Sequence, residues 1–327
     1  MITPSNYTIF GLHRDLKRYS WAAYHLFVLL SCLVGDTLIL YASFQRGALK
    51  LNKFIVTVIQ FIAVSDLAYA IFTVLPGAVS LIANAWVLGS VMCYVRVYSS
   101  YFIYPAGMSL IAVLTTSKIL LLKYPALYAN FTKKVAHRVC SLVLIPPLSI
   151  PLLFLLLDRT DVSFDFRVYN CTYSFTADIW KRMLGPILAT LTLFLPNMAI
   201  VATTIPTLKY LAGARMSAKR VQGCVPWQGA LTVAVTALVY CISTLPTFIC
   251  YIGRFFTNGD IAGLFHFQLY RIAYFASMIN IMSNFYIYAL TMRTFRRFLL
   301  LKILKVAPDS WKTSSNMGLQ QVRIILS

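Results

Sequence analysis

Apolar residues along this chain gather into seven long blocks separated by short polar segments, at roughly 22–44, 54–82, 91–122, 137–157, 183–208, 227–253 and 264–291. A helix that crosses a bilayer needs about 20 mostly apolar residues, and each block supplies them. The blocks are far too long for barrel strands. Backbone groups in hydrocarbon must be satisfied within the segment, so the pattern predicts seven transmembrane helices. Prolines inside the blocks (Pro76, Pro105, Pro146, Pro147, Pro151, Pro196, Pro206, Pro246) would break soluble helices, whereas a membrane bundle accommodates them as kinks. Beyond the last block, Thr294 to Lys305 reads TFRRFLLLKILK. Phe295, Phe298, Leu299 and Ile303 can share one face there, which predicts a short amphipathic helix lying on the cytoplasmic leaflet. The expected fold class is an all-α membrane protein: an N-terminal segment 1–21, a bundle with its appended helix over 22–303, and a tail 304–327.

Composition agrees with that pattern. The chain is 59% hydrophobic and 12% charged, against about 25% charged in soluble domains. Its net charge of +20 comes from 29 Lys and Arg against 9 acids, all of them Asp. Nucleic-acid binding would gather the bases on one soluble face, but here they sit in short segments between apolar blocks. Their distribution sets the orientation instead. Arg46, Lys50 and Lys53 share a side with Lys123, Lys133, Lys134 and Arg138, with Lys209, Arg215, Lys219 and Arg220, and with the tail bases from Arg293 to Arg323. On the opposite side, segment 158–182 balances Arg159, Arg167, Lys181 and Arg182 with Asp158, Asp161, Asp165 and Asp178. The basic side is therefore cytoplasmic and the N-terminus extracellular, despite Arg14, Lys17 and Arg18 near that end. The first block is too long for a signal-peptide core and reads as the first span. No internal repeat supports a transporter built from duplicated halves.

Asp36 and Asp66 fall near the middle of spans one and two, where an ionisable group costs a few kcal/mol and must face the interior. With Asn280 and Asn284 of span seven they form either a structural polar network or a cation or proton site. Cys93 at the outer end of span three and Cys171 in the outer loop are placed to form a disulfide in an oxidising exterior. Asn6-Tyr7-Thr8 and Asn170-Cys171-Thr172 are glycosylation sequons on the same side. The four His are scattered, with no Ser–His or metal-spaced pair and no C-x-x-C, so neither an enzyme nor a zinc site is expected.

Several motifs then fall in order at family spacing. Trp86-Val-Leu-Gly89 followed by Cys93 resembles the first outer loop of rhodopsin-like G-protein-coupled receptors. Ile62-Ala-Val-Ser-Asp66-Leu67 resembles their second-span signature, and Gly35-Asp36 stands where the family has Gly-Asn. Asn284-Phe-Tyr-Ile-Tyr288 followed by Phe295-Arg296 is similar to the end of span seven and the start of helix eight, and Pro196 and Pro246 match the prolines of spans five and six. The resemblance covers residues 20–303. It implies a plasma-membrane receptor that transduces an extracellular ligand signal to a heterotrimeric G protein, with the inner face formed by Lys118, Tyr288 and Arg296. No cofactor is expected; the resemblance leaves room only for a sodium ion near Asp66, where Gly107 replaces the Ser that many relatives carry in the sodium pocket.

The departures are specific. Ser117-Lys118-Ile119 replaces Asp-Arg-Tyr, and Lys lacks the planar fork of Arg. Thr244 replaces a Trp, Phe285 replaces the Pro of span seven, and Met278 occupies the position where light sensors attach retinal. A decoy or non-signalling receptor is the main alternative on this evidence, with a cation-linked transporter behind it. The implied ligand pocket comprises Arg96, Ser100, Tyr101, Tyr104, Thr244, Phe248, Arg271 and Tyr274. Ser100 stands where amine receptors carry an Asp, which disfavours an amine. Guanidinium groups (Arg96, Arg254, Arg271) among tyrosines suit an anionic or peptidic ligand, unless the arginines pair with loop aspartates or snorkel outward.

Overall fold

A computed structural model of the protein describes residues 4–45, 48–49, 51–157, 162–165, 170–173, 192, 194–217, 227–256 and 264–305. Helix α1 (Pro4–Phe44) begins well before the expected start at residue 22. Once a helix is nucleated in an apolar span, each added residue gains a hydrogen bond, and no proline lies between residues 5 and 21 to stop it. Helix α2 (Lys53–Tyr69) starts at Asn52, whose side chain accepts from the Phe54 amide at 2.9 Å. It runs through a π turn (Ala70–Val74) into α3 (Leu75–Ala83). Pro76 has no N–H to donate to the preceding turn, and the wider π turn accommodates that gap. Asn84 then ends the helix in the left-handed region at φ 55°.

Helix α4 (Gly89–Lys123) is the long central element, followed by a short α5 (Pro125–Tyr128) and by α6 (Lys133–Leu157). The Thr132 hydroxyl caps α6 by accepting from the Val135 amide. Strands β1 (Val162–Asp165) and β2 (Asn170–Tyr173) pair antiparallel, with Phe164 opposite Cys171. Helices α7 (Leu195–Ser217), α8 (Trp227–Phe256), α9 (Leu264–Thr291) and α10 (Arg293–Phe298) follow, and a π turn (Leu299–Ile303) extends the last. The first residues of the fifth apolar block and most of segment 158–182 lie outside the described residues.

The helices close into a ring. α1 packs on α2, α3 and α9; α8 packs on α9 and α7; and α4 sits inside against α2, α6, α7 and α8. Among the described residues, Arg18–Phe44, Lys53–Ala83 and Gly89–Leu121 are long and apolar enough to cross a membrane. The outward faces carry Phe27, Leu30, Val34, Val64, Val91, Leu142, Ile242 and Leu290, all exposed. An apolar exterior around an interior that holds polar groups is the reverse of a soluble bundle, and it suits a protein solvated by hydrocarbon. Phe295 and Phe298 of α10 turn into the core, Phe298 against Tyr41 and Phe295 against Phe285, while Ile303 stays exposed. The amphipathic segment is thus helical, with its first aromatic pair packed on the bundle.

Candidate functional site

Two polar layers occupy the interior. The outer one is built on the first turns of α4. The Trp86 indole donates to the Gly89 carbonyl at 2.7 Å, and Gly89 adopts φ 78°, which a glycine reaches without strain. One turn further on, Cys93 is bonded to Cys171, with Cα atoms 5.5 Å apart. That bond lays β2 across α4. Trp86 stacks loosely on Phe164 of β1, and Val97 is buried beneath.

Arg96, one turn below Cys93, is 4% exposed. Its guanidinium donates to the Cys171 carbonyl at 3.0 Å and to the Tyr274 hydroxyl at 3.0 Å. The Asn170 amide nitrogen donates to that same hydroxyl at 3.2 Å. Tyr274 thereby joins α4, β2 and α9. Two atoms of this cluster, Arg96 Nε and Asn170 Oδ1, are buried without a partner among the described residues. His25 of α1 completes the layer. Its Nδ1 lies 2.9 Å from the Trp21 carbonyl oxygen, which can only accept, so Nδ1 carries the proton. Its ring packs against Tyr274 and Phe275. Trp21 stacks on Phe275 at 3.6 Å and the Tyr24 hydroxyl donates to the Phe275 carbonyl at 2.9 Å, which fastens α1 to α9.

The inner layer lies about halfway along the bundle. The Asn284 amide nitrogen donates to an Asp66 carboxylate oxygen at 2.7 Å. Asp36 is 1% exposed and neither of its oxygens has a partner among the described residues. The carbonyl oxygens of Asn280 and Asn284 and the hydroxyls of Tyr240 and Tyr288 are likewise buried and unpartnered. Asp36 and Asp66 stand on α1 and α2, which pack against each other. Gly35 permits this geometry. A Cβ on it would meet Phe285 Cβ at 2.6 Å, so α1 and α9 approach more closely here than any side chain would allow.

Below that layer, Lys118 is 3% exposed on α4, with no carboxylate paired to it among the described residues. Its neighbour Ser117 bonds back to the Leu114 carbonyl. Arg296 is exposed, with one nitrogen 3.4 Å from the Leu290 carbonyl. Tyr128 of α5 lies outside the spans, and burial pushes its phenol up to about 12, keeping it neutral.

The expected residues therefore sort by place. Arg96 and Tyr274 meet directly, and Ser100 bonds back to the Arg96 carbonyl. Tyr104 sits deeper, its ring 6.2 Å from that of Tyr69. Thr244 donates to Asn197 Oδ1 at 3.2 Å and so belongs to an α7–α8 contact. The side chains of Asn6, Phe248, Arg254 and Arg271 lie outside the described ones, and Tyr101 is half-buried. Asn170, the second sequon asparagine, is turned inward. The nitrogen a glycan would join is bonded to Tyr274, and the residue is 4% exposed. His25 went unremarked in the sequence, although Ala22, His25, Leu29, Cys32, Asp36 and Ile39 recur every three or four residues and are all buried.

The family model described as 7 transmembrane receptor (rhodopsin family) matches residues 35–288, a span that opens at Gly35-Asp36 and closes on Tyr288. No curated protein matches the chain.

Proposed function

The chain belongs to the rhodopsin family of seven-transmembrane receptors, and from that premise we propose how its two polar layers divide the work. As a member it is a membrane-embedded G-protein-coupled receptor, a signal transducer and not an enzyme. In our reading all seven apolar blocks span the plasma membrane, the N-terminus is extracellular, and the helix after the seventh block lies on the cytoplasmic leaflet.

The ligand in this reading meets the outer layer, and the observation that carries it is the Arg96–Tyr274–Asn170 cluster under the Cys93–Cys171 bridge. Arg96 Nε is a donor and Asn170 Oδ1 an acceptor, and both await a partner. A peptide group offers one of each, and an anion satisfies the guanidinium, so a peptidic or anionic ligand fits. Arg271 and Phe248 are assigned to the same pocket. Asp36 and Asp66 share a proton or a sodium ion, with the Asn280 and Asn284 oxygens as further donors to the cation. Lys118, Tyr288 and Arg296 face the G protein. A ligand shifts this receptor only through its differential affinity for the two packings.

The test is recruitment of G-protein classes and arrestin to the surface-expressed receptor, with and without a panel of acidic peptides. At least one transducer is expected to respond, and Arg96→Ala, compared at matched surface expression, is expected to remove the ligand-evoked part. Silence toward every transducer at full surface expression would overturn the reading in favour of a decoy. An N-terminal epitope is expected to stain without permeabilisation.

A further inference from the structure

A cavity of about 500 Å³ lies away from both polar layers, walled by α4, α6 and α7. α6 and α7 each pack on α4 but hardly touch one another among the described residues, which leave a space between the two helices. The volume is in the range of small-molecule sites. Among the described residues, no Lys, Arg or Asp lines it.

The walls are apolar, yet they carry polar groups left over from each helix. On α4 the hydroxyls of Thr115 and Ser117 bond back to the Ala112 and Leu114 carbonyls at 3.0 and 2.8 Å. Ser109 and Thr116 line the cavity and make no such bond, and no described residue partners them, although Ser109 is only 8% exposed. These two hydroxyls are seven residues apart, two turns along one helix face. On α6, Val143 and Pro147 line the opposite wall. Pro147 lacks the N–H that would bond to the Val143 carbonyl, and Pro151 lacks the one for the Pro147 carbonyl. One wall thus offers free hydroxyls, the other carbonyls relieved of their helical donors. A hydroxyl that opens on an apolar cavity calls for a hydrogen-bonding partner there.

We propose that this cleft binds a neutral, membrane-dissolved apolar molecule with a single hydroxyl, in chemistry a sterol or a long-chain alcohol. Its body fills the space between α6 and α7. Its hydroxyl donates to a freed α6 carbonyl and accepts from Ser109 or Thr116. A carboxylate or phosphate head is excluded, because it would be buried with no cation to meet it. The site stands one residue from Lys118 on α4 and abuts Pro196 of α7, so occupancy biases how α7 packs on α4.

The experiment uses the full chain in phosphatidylcholine nanodiscs. Diazirine analogues of a sterol, a long-chain alcohol and the fatty acid of equal chain length are photolysed, and the adducts mapped by peptide mass spectrometry. Adducts from the sterol or the alcohol are expected on the cavity-lining stretches of α4 and α6, and whichever arm labels identifies the source. Ser109→Ala with Thr116→Val is expected to lower labelling about five-fold or more, as for the loss of neutral hydrogen bonds. Ala112→Trp, which fills the cavity, is expected to abolish it, with Val143→Phe from the other wall as the substitute should the first fail to reach the surface. Equal labelling by the fatty acid, adducts spread evenly over the outward faces, or labelling that survives a filled cavity overturns the proposal.

Discussion

The outer and inner polar layers treat their buried polar groups in different ways. In the outer layer a disulfide fixes β2, and Arg96, Tyr274 and Asn170 close a chain of hydrogen bonds across three elements. In the inner layer the contact of Asn284 with Asp66 stands among groups that have no partner among the described residues: both Asp36 oxygens and the hydroxyls of Tyr240 and Tyr288. Satisfied networks stiffen a site, whereas unsatisfied groups in a low dielectric store free energy that a different packing, a cation or water can release. The outer layer, closed on itself apart from Arg96 Nε and Asn170 Oδ1, is therefore built to hold a shape around a ligand, and the inner one to change its packing.

The largest expected effect tests the stiff half. Cys171→Ser releases β2 from α4 and is expected to cost about 2–5 kcal/mol, read as loss of most non-permeabilised surface staining. Tyr274→Phe removes the hydroxyl that accepts from Arg96 and Asn170. A destabilisation of about 1.5–3 kcal/mol is expected, because one of those bonds is charged, and a thermal-shift assay of purified receptor measures it. The contrast predicts the opposite sign in the inner layer. Asp36→Asn removes a buried carboxylate that has no partner among the described residues and is expected to raise the melting temperature by roughly 1–2 °C, about 1 kcal/mol for a chain of this size. A fall instead, or a sodium-dependent melting temperature that the substitution abolishes, would mean that a bound cation already satisfies the layer. The smallest effect is a null one. Asn170→Gln is expected to leave electrophoretic mobility unchanged before and after deglycosylation, since its amide nitrogen is committed to Tyr274.

Much of this was legible in the chain itself. The apolar blocks predicted helices whose bounds match closely where turn chemistry is local, as at 264–291 and at the Asn52 cap. The Cys93–Cys171 pairing followed from which side of the membrane each residue occupies. What stayed hidden depends on facing across the bundle. Nothing in the sequence ties Asn170 to Tyr274, 104 positions away. Polar residues mark the end of the first apolar span, Arg18–Phe44, but the helix that carries it runs back to Pro4, because a helix stops only where a backbone hydrogen bond is refused. His25 was readable from the buried stripe of α1, but as a single residue its chemistry gave no signal.

The contact between Gly35 and Phe285 bears on how force moves through the receptor. Phe285 stands where relatives carry a proline, and α9 runs from Leu264 to Thr291 with no proline in it. Its ladder of backbone bonds has no built-in break, so bending it there means giving up a bond that a proline would never have made. Such a helix behaves as a rod rather than as a jointed arm. Gly35 is the notch in which the rod rests, with Phe285 seated so closely that a single methyl would lift it out. Tilting one end about that notch moves the other in the opposite sense, so Tyr274 above and Tyr288 below are the two arms of one lever.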